Sequence, residues 1–349
     1  MKAWFSRPKI WLPSLLLVVL TLFGVRFYVA LQPALSPGVG NGGRTVIYLK
    51  PGTRAIEIAN RLKREGVIRD RSLFLLFTLL RGSYGELKAG EYQFTPSMGL
   101  LDVIKILEEG RVLIHKVTIP EGATVRDIAN LLRDEGLVDK DRFLYLAMNR
   151  AVAGQYDPEA STLEGFLFPD TYEFIKGMVE EEIIDHMVQR FFRTFTGEDE
   201  IRARRLGMSR YQVVTLASII EREALVDREK PIIAGVFYNR LRQGMRLQAD
   251  PTVLYGKNHQ GPPTRRDLQI DHPYNTYLQE GLPPGPIANP GERALRAALY
   301  PARVTYLYFV SKNDGTHHFS RTLEEHNWAV RKYQLSRRVR EEKVPERMR

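Results

Sequence analysis

The longest apolar run of the chain lies near its N-terminus. The run Ile10–Leu31 has a single charged residue, Arg26, close to its C-terminal end. As a helix, a run of this length extends about 33 Å, which matches the roughly 30 Å thickness of a bilayer's hydrocarbon core. The pattern therefore predicts a transmembrane anchor over residues 10–31.

The charges before this run predict its orientation. They are all basic and come from Lys2, Arg7 and Lys9. Basic residues flanking a first span favour a cytoplasmic N-terminus, so we expect 1–9 in the cytoplasm and the rest of the chain exported. A cleaved signal peptide is the alternative, but it should have a shorter apolar region and a small-x-small site. No convincing site of that kind follows Leu31. Residues 32–43 then form a Pro- and Gly-rich linker.

The segments that follow the linker contain an internal repeat. The stretch from Pro51 resembles the stretch from Glu121, and each follows a β-like run. The identical pairs are Gly52/Gly122, Ile58/Ile128, Ala59/Ala129, Asn60/Asn130, Leu62/Leu132, Glu65/Glu135 and Gly66/Gly136. Each copy predicts the order β-α-α-β-α. From the residues alone, the repeat is either a duplicated packing module or a binding module for a repetitive polymer.

A strongly patterned helix is predicted after Ser209. Ser209 and Gln212 form a capping box, and the following run, through Leu225, carries an apolar stripe at helical spacing. The stripe consists of Val213, Leu216, Ala217, Ile220 and Ala224. Glu221 lies one position off this stripe, at the edge of a core. Burial disfavours the charged form of a carboxyl group, and a neutral carboxylic acid can act as a general acid. The alternative for Glu221 is an ion pair with Arg222 or Arg228.

Polar and aromatic residues cluster in the segments after this helix. A second helix is predicted from Asp227, with Pro231 in its first turn, to Gly244. The stretch Met245–Gly256 predicts a loop that leads into a strand or a short helix, and the stretch His272–Gly291 contains a Pro-rich loop. Amides and rings there suit sugar hydroxyls and pyranose faces. A hairpin follows, with Asp314 and Gly315 in its turn.

Composition and charge exclude several classes of function. Lys and Arg total 51 and Asp and Glu 41, a net charge of +10. Most of this charge lies in residues 1–26 and 331–349, so the near-neutral body argues against nucleic-acid binding. The basic tail, 336–349, is either solvated or in contact with anionic lipid. The absence of cysteine excludes disulfides and thiol catalysis. The seven histidines do not form a metal-binding pattern, and we expect neither metal nor cofactor.

Taken in order, these motifs resemble the MltG (YceG-like) family of endolytic murein transglycosylases. The motifs that carry the resemblance are LEGFLFPDTYEF, ASIIEREA, GVFYNRLRQGMRLQADPTVLYG, YNTY, LPPGPIANPG and YLYFV. The resemblance covers roughly residues 45–335. It implies an α+β fold with an N-terminal anchor, a region of duplicated LysM-like modules over 44–160 and a catalytic domain over 161–335.

The resemblance also implies a site and a reaction. The family's catalytic Glu is placed on Glu221, and substrate contacts are expected from a polar set around it. These candidates are Ser218, Gln248, Asp250, Thr252, Tyr255, Asn275 and Tyr277, with Thr276 between the last two. Protonated Glu221 would cleave the bond between N-acetylmuramic acid (MurNAc) and N-acetylglucosamine (GlcNAc), and the C6 hydroxyl would then close a 1,6-anhydro ring. Asp250 either stabilises positive charge or positions substrate.

The implied setting is the inner membrane, with the catalytic domain outside the cytoplasm. The enzyme would there terminate or release nascent peptidoglycan strands, in partnership with glycan-polymerising synthases. Two alternatives remain open from the sequence. One is a muramidase that uses Glu221, Asp250 and water, and the other is a non-catalytic peptidoglycan-binding scaffold.

Overall fold

A computed structural model describes residues 11–34, 44–257, 261 and 263–335. The predicted N-terminus 1–9, most of the linker 32–43 and the basic tail 336–349 lie outside these residues. The described part is a mixed α+β fold with three two-stranded sheets, which pair β1 with β2, β3 with β4, and β5 with β6. The β1–β2 and β5–β6 pairs are antiparallel. The fold class expected from the sequence is confirmed at this level.

The helices and strands follow one another with short connections. In chain order they are α1 (Trp11–Leu31), β1 (Thr45–Leu49), α2 (Ala55–Arg64), α3 (Arg71–Leu80), β2 (Gly90–Phe94), α4 (Leu100–Glu109), β3 (Ile114–Thr118), α5 (Val125–Asp134), α6 (Lys140–Ala147), α7 (Arg150–Ala153), β4 (Thr171–Ile175), α8 (Glu180–Thr194), α9 (Gly197–Arg205), α10 (Arg210–Glu223), α11 (Lys230–Arg242), α12 (Asp250–Lys257), α13 (Glu292–Leu299), β5 (Tyr308–Ser311), β6 (His317–Ser320) and α14 (Leu323–Val330).

The chain divides into two compact units. The first contains residues 1–115 and 173–178, and the second contains 116–172 and 179–349. The domain limits expected from the sequence, 44–160 and 161–335, are a different division and stay a prediction.

The first unit joins the apolar helix α1 to a small core. Within the described part of the chain, α1 is the one helix long and apolar enough to cross a membrane, and almost none of Ser14–Leu31 is buried. This is compatible with a single-pass anchor. Behind it, β1 pairs with β2, and Phe74, Tyr92 and Phe94 form the centre of the core with no exposed surface.

Both copies of the repeat show the order strand, helix, helix, strand, helix, and the second copy adds the four-residue helix α7 before its second strand. The turn before the first helix of each copy uses Gly52 and Gly122, with φ of 78° and 77°. The helix then ends at Gly66 and Gly136, with φ of 71° and 67°. Residues with a Cβ rarely adopt this left-handed conformation, which explains why glycine occupies the same place in both copies.

The second unit is organised around α10. The predicted capping box is present, with Ser209 Oγ accepting from the Gln212 N–H, and Val213, Leu216 and Ile220 are fully buried. Helix α10 packs against α11, α12 and α13. It ends at Glu223 rather than continuing to Leu225, because Ala224 turns into an extended conformation (φ −89°, ψ 115°).

The predicted hairpin is present at the end of the second unit. Strands β5 and β6 pair with Tyr308 opposite Ser320, and Gly315 in the turn has a φ of 85°. His317 is buried and its Nδ1 lies 2.8 Å from Glu229 Oε2. Strand alternation places His318 on the other face, beside Trp328.

Candidate functional site

Glu221, the residue assigned as the acid from the sequence, is held by two partners. Its Oε1 accepts a hydrogen bond of 2.8 Å from Lys230 Nζ, and its Oε2 accepts one of 3.0 Å from the Gly291 N–H. Its side chain is 7% exposed and that of Lys230 is 3% exposed. The expected alternative of an ion pair is therefore found, but with Lys230 instead of Arg222 or Arg228. Both carboxyl oxygens of Glu221 are thus engaged within the protein.

Two further carboxylates surround Lys230. Asp227 Oδ1 lies 3.0 Å from its ammonium group and Glu121 Oε2 lies 3.7 Å away. Burial raises the pKa of Glu121, and the negative charge of Glu221 raises it further. Lys230 thus compensates several acidic groups at once, and its own pKa is raised by Glu221 and Asp227 against the opposing effect of burial.

Glu223 differs from Glu221 although only two positions separate them. It is the last residue of α10, three positions after Ile220 and seven after Leu216, so it continues the buried stripe of the helix. Burial and, to a smaller extent, the charge of Asp250 raise its pKa to about 8, against the opposing effect of Arg240. The negative end of the helix macrodipole also disfavours a carboxylate at this position.

Asp250 and Tyr277 both interact electrostatically with Glu223. The Tyr277 hydroxyl donates a hydrogen bond of 2.6 Å to Asp250 Oδ1. Burial and this bond raise the pKa of Tyr277. Asp250 is exposed, so the pair presents a fixed carboxylate at the surface beside a residue that retains its proton.

Arg240 supplies the buried positive charge behind this group. Its Nη1 donates to the Leu247 carbonyl at 2.7 Å and reaches Gln248 Oε1 at 3.4 Å, while its Nε donates to the Leu307 carbonyl at 2.7 Å. These bonds fix the backbone that precedes Asp250. Gln248 itself has a φ of 49°, an uncommon conformation for a residue with a side chain, and its side chain is exposed.

Thr252, Asn275 and Thr276 are buried and bond to the protein itself. Thr252 Oγ1 lies 2.9 Å from Thr276 Oγ1, which in turn accepts from the Ala249 N–H at 3.0 Å. Asn275 Nδ2 donates to the carbonyls of Leu268 and Ile270 at 3.1 and 2.8 Å. These side chains join the start of α12 to the segment of Tyr277, and so they set the position of the Asp250–Tyr277 pair.

Ser218 ties α10 to the Pro-rich loop. It is fully buried, and its hydroxyl donates to the Thr215 carbonyl at 2.7 Å and accepts from the Ile287 N–H at 3.0 Å. Because both hydrogen bonds are used within the core, the structure places Ser218 as a support of the loop.

Tyr255 lies in a second buried centre, around Glu164. The Tyr255 hydroxyl donates to Glu164 Oε2 at 3.1 Å, and Val125 N–H and Asn289 Nδ2 donate to Oε1 at 3.0 and 3.1 Å. Burial raises the pKa of Glu164 to about 8. Asn289 also donates to the Ala123 carbonyl at 2.9 Å, so this centre joins the Pro-rich loop to the start of α5.

The structure thus brings together only part of the candidate set. Gln248, Asp250 and Tyr277 gather with Glu223 and Arg240, whereas Ser218, Thr252, Tyr255 and Asn275 are directed into the surrounding scaffold. Glu223 was not predicted as a site residue, although its spacing from Leu216 and Ile220 is visible in the sequence pattern. Lys230 was not predicted either, since a lysine at a helix start is usually exposed. Among the described residues, no group of three or more His, Asp or Glu side chains could hold a metal ion.

Comparisons with known proteins identify the family of this chain. The sequence model of the YceG-like family matches residues 47–332. A protein of Bacillus subtilis (strain 168) named endolytic murein transglycosylase is 36% identical over 307 residues, which cover 82% of this chain and 84% of the relative. A protein of the same name from Streptococcus pneumoniae (strain D39) is 27% identical over 346 residues, and the match covers 89% of this chain and 62% of the relative.

A solved structure is also similar. The crystal structure of a YceG-like protein from Listeria monocytogenes is 36% identical in sequence and matches with a TM-score of 0.56, over 82% of this chain and 99% of that one. Together these matches show that the chain belongs to the YceG-like family and that it is an enzyme, a lyase of the lytic transglycosylase class.

Proposed function

We propose that this enzyme cleaves peptidoglycan strands internally, at the bond between MurNAc and GlcNAc, and leaves 1,6-anhydroMurNAc ends. The relatives named endolytic murein transglycosylase support this substrate and this reaction class. The observation that carries the mechanism is the environment of Glu223, a carboxyl group that retains its proton up to a pH of about 8.

Glu223 is the acid in this proposal. A general acid must be protonated at the working pH and must be able to reach the substrate. Glu223 is partly exposed, and burial together with the Asp250 charge keeps it neutral. Glu221 has a different environment, because its carboxyl group is paired with the Lys230 ammonium at 2.8 Å. We therefore transfer to Glu223 the role that the sequence analysis assigned to Glu221.

The reaction needs one carboxyl group and no water. Glu223 donates its proton to the glycosidic oxygen, the bond from C1 of MurNAc to that oxygen breaks, and positive charge develops at C1. The resulting carboxylate takes the proton from the C6 hydroxyl of the same sugar, and O6 bonds to C1. Glu223 ends protonated, as it began. The attacking hydroxyl belongs to the same molecule, which gives it a high effective concentration.

Asp250 has two roles in this scheme. Its charge helps to keep Glu223 protonated, and its exposed carboxylate can stabilise the positive charge that develops at C1. Tyr277 fixes its orientation through the 2.6 Å hydrogen bond. The exposed amide of Gln248 is suited to a sugar hydroxyl.

Glu221 and Lys230 act as positioning residues. Glu221 joins the last turn of α10 to Lys230 at the start of α11 and to the Gly291 N–H at the end of the Pro-rich loop. These bonds hold the helix end that carries Glu223.

The remaining parts of the chain are suited to an enzyme that acts on nascent glycan strands at a membrane. We propose that α1 is a single-pass anchor in the inner membrane with its N-terminus in the cytoplasm, and that the repeats are LysM-like modules that bind peptidoglycan. Glycan-polymerising synthases are the corresponding partners. The apolar, exposed surface of α1 and the duplicated β-α-α-β-α order support these assignments.

Product analysis tests the proposed reaction. The full-length protein in detergent is incubated with purified glycan strands, and the fragments are identified by mass spectrometry. We expect fragments with anhydro ends and no added water. Fragments that are heavier by one water than the corresponding anhydro products would instead identify a muramidase. Strand binding without any fragments would identify a scaffold.

A further inference from the structure

The first unit exposes an apolar face on α3. The ten residues of this helix include seven Leu and Phe side chains. Phe74 and Thr78 are buried in the core, whereas Leu76, Leu79 and Leu80 are 45%, 65% and 72% exposed. Their i, i+3, i+4 spacing places them on one side of the helix. Contiguous exposed apolar surface of this kind marks an interaction site.

This face is next to the helix proposed as the membrane anchor. The ring centroids of Phe27 in α1 and Phe77 in α3 are 6.1 Å apart. Just before α3, the Arg69 guanidinium donates to the Pro33 carbonyl at 2.8 and 3.0 Å. Leu31 and Phe77 also pack against the same core cluster. Helix α3 is therefore fixed at the C-terminal end of α1.

The position of Phe27 sets the depth of α3. Phe27 precedes Leu31, the last residue of α1, by four positions, which is about 6 Å along a helix. If Ser14–Leu31 spans the hydrocarbon core, a side chain that packs on Phe27 lies at the level of the bilayer boundary. The charged residues lie at the two ends of α3, with Asp70 just before it, Arg71 at its start and Arg81 just after it. Apolar helices in this position bury one face by about 5–10 Å in the interface.

We propose that the α3 face formed by Leu76, Leu79 and Leu80 is immersed in the outer boundary of the bilayer, as a second membrane contact beside α1. The occupant of this face is lipid. The contact fixes the orientation of the first unit on the membrane. Attachment through α1 alone would leave this orientation free. The inference rests on the proposed role of α1 as the anchor.

The chain contains no cysteine, so single-cysteine variants of the full-length protein can be labelled with a nitroxide at one site. Leu76→Cys and Leu79→Cys report on the α3 face, Leu20→Cys reports on the anchor, and Lys63→Cys is the exposed reference on α2. The proteins are reconstituted in vesicles of equal parts phosphatidylcholine and phosphatidylglycerol. Accessibility to oxygen and to a water-soluble nickel complex is then measured by electron paramagnetic resonance.

Labels on the α3 face, like the label at position 20, are expected to be more accessible to oxygen than to nickel. The label at position 63 should be more accessible to nickel than to oxygen. Labels at 76 and 79 that match Lys63 while Leu20 remains protected would overturn the α3 contact and leave the anchor intact. Nickel access at Leu20 would overturn the anchor and the α3 contact together. Protection of α3 that disappears when the protein is diluted in lipid would show that a second copy covers the face, and would also overturn the proposal.

Discussion

Lys230 Nζ lies 2.8 Å from Glu221 Oε1, whereas Glu223, two positions further along α10, is kept protonated by burial and by Asp250. Two carboxyl groups on the same helix therefore have opposite electrostatic environments. Pairs of this kind indicate how acid and supporting roles are divided at a site.

Replacing Asp250 tests its effect on Glu223. Burial and the charge of Asp250 together raise the pKa of Glu223 to about 8. Asp250→Asn removes that charge, so the pKa of Glu223 should fall. Because the acid form is the active one, the alkaline limb of the kcat/KM profile should move to lower pH. Tyr277→Phe is the control, since it removes the hydrogen bond but keeps the charge. An unchanged alkaline limb in Asp250→Asn would show that Glu223 is not the titrating acid.

Ser218→Ala should lower stability rather than catalysis. The substitution leaves the buried Ile287 N–H without its acceptor, which costs about 1–3 kcal/mol of unfolding free energy. Guanidinium unfolding should detect this loss. Under conditions in which the variant is still folded, its kcat should be near the wild-type value. A selective loss of kcat with unchanged stability would mean that the hydroxyl acts on substrate.

Lys230→Met should destabilise the second unit strongly. It leaves the carboxylates of Glu121, Glu221 and Asp227 without their shared cation, and breaking a buried pair in this way costs about 3–5 kcal/mol. The double variant Glu221→Gln/Lys230→Met should recover part of the loss, because one buried negative charge is removed. A double variant as unstable as the sum of the two single variants would contradict the proposed coupling.

Glu164 should make stability depend on pH. Its folded pKa is about 8, above its ordinary value of 4.5. The stabilising contribution is therefore complete below pH 4.5 and is lost as the pH rises through 8, with a slope of up to about 1.4 kcal/mol per pH unit. Unfolding of wild type and Glu164→Gln is compared across this range. The variant should show a shallower decline, and equal slopes would assign the pH dependence to other groups.

The sequence predicted the frame of the molecule from local patterns. Each of these patterns depends on residues that are neighbours in the chain. The patterns are the apolar run of α1, the two copies of the repeat and the capping box of Ser209. For the same reason, Asp314–Gly315 marked the hairpin turn. The helix predicted from Asp227 begins as α11 at Lys230, because Asp227–Glu229 form a 3-10 turn before it.

The site was harder to predict because its roles depend on partners distant in sequence. Glu221 contacts Lys230 and Gly291, whereas Glu223 interacts with Asp250. The spacing of these residues along the chain does not reveal which carboxyl group pairs with the lysine. Ser218, Thr252, Tyr255 and Asn275 are polar residues within motifs, yet their hydrogen bonds are used to hold backbone segments. The one local signal was the place of Glu223 on the buried stripe of α10, where an apolar residue is expected.

The central claim is that Glu223 donates the proton, and paired substitutions test it most directly. Glu223→Gln and Glu221→Gln are compared in the full-length protein on purified glycan strands, with the rate of anhydro-end formation measured by mass spectrometry. Loss of general acid catalysis lowers rates by about 10²–10⁴-fold, so Glu223→Gln should show a loss of this size while Glu221→Gln keeps measurable activity. Wild-type rates of anhydro-end formation in Glu223→Gln, with their loss in folded Glu221→Gln, would contradict the account.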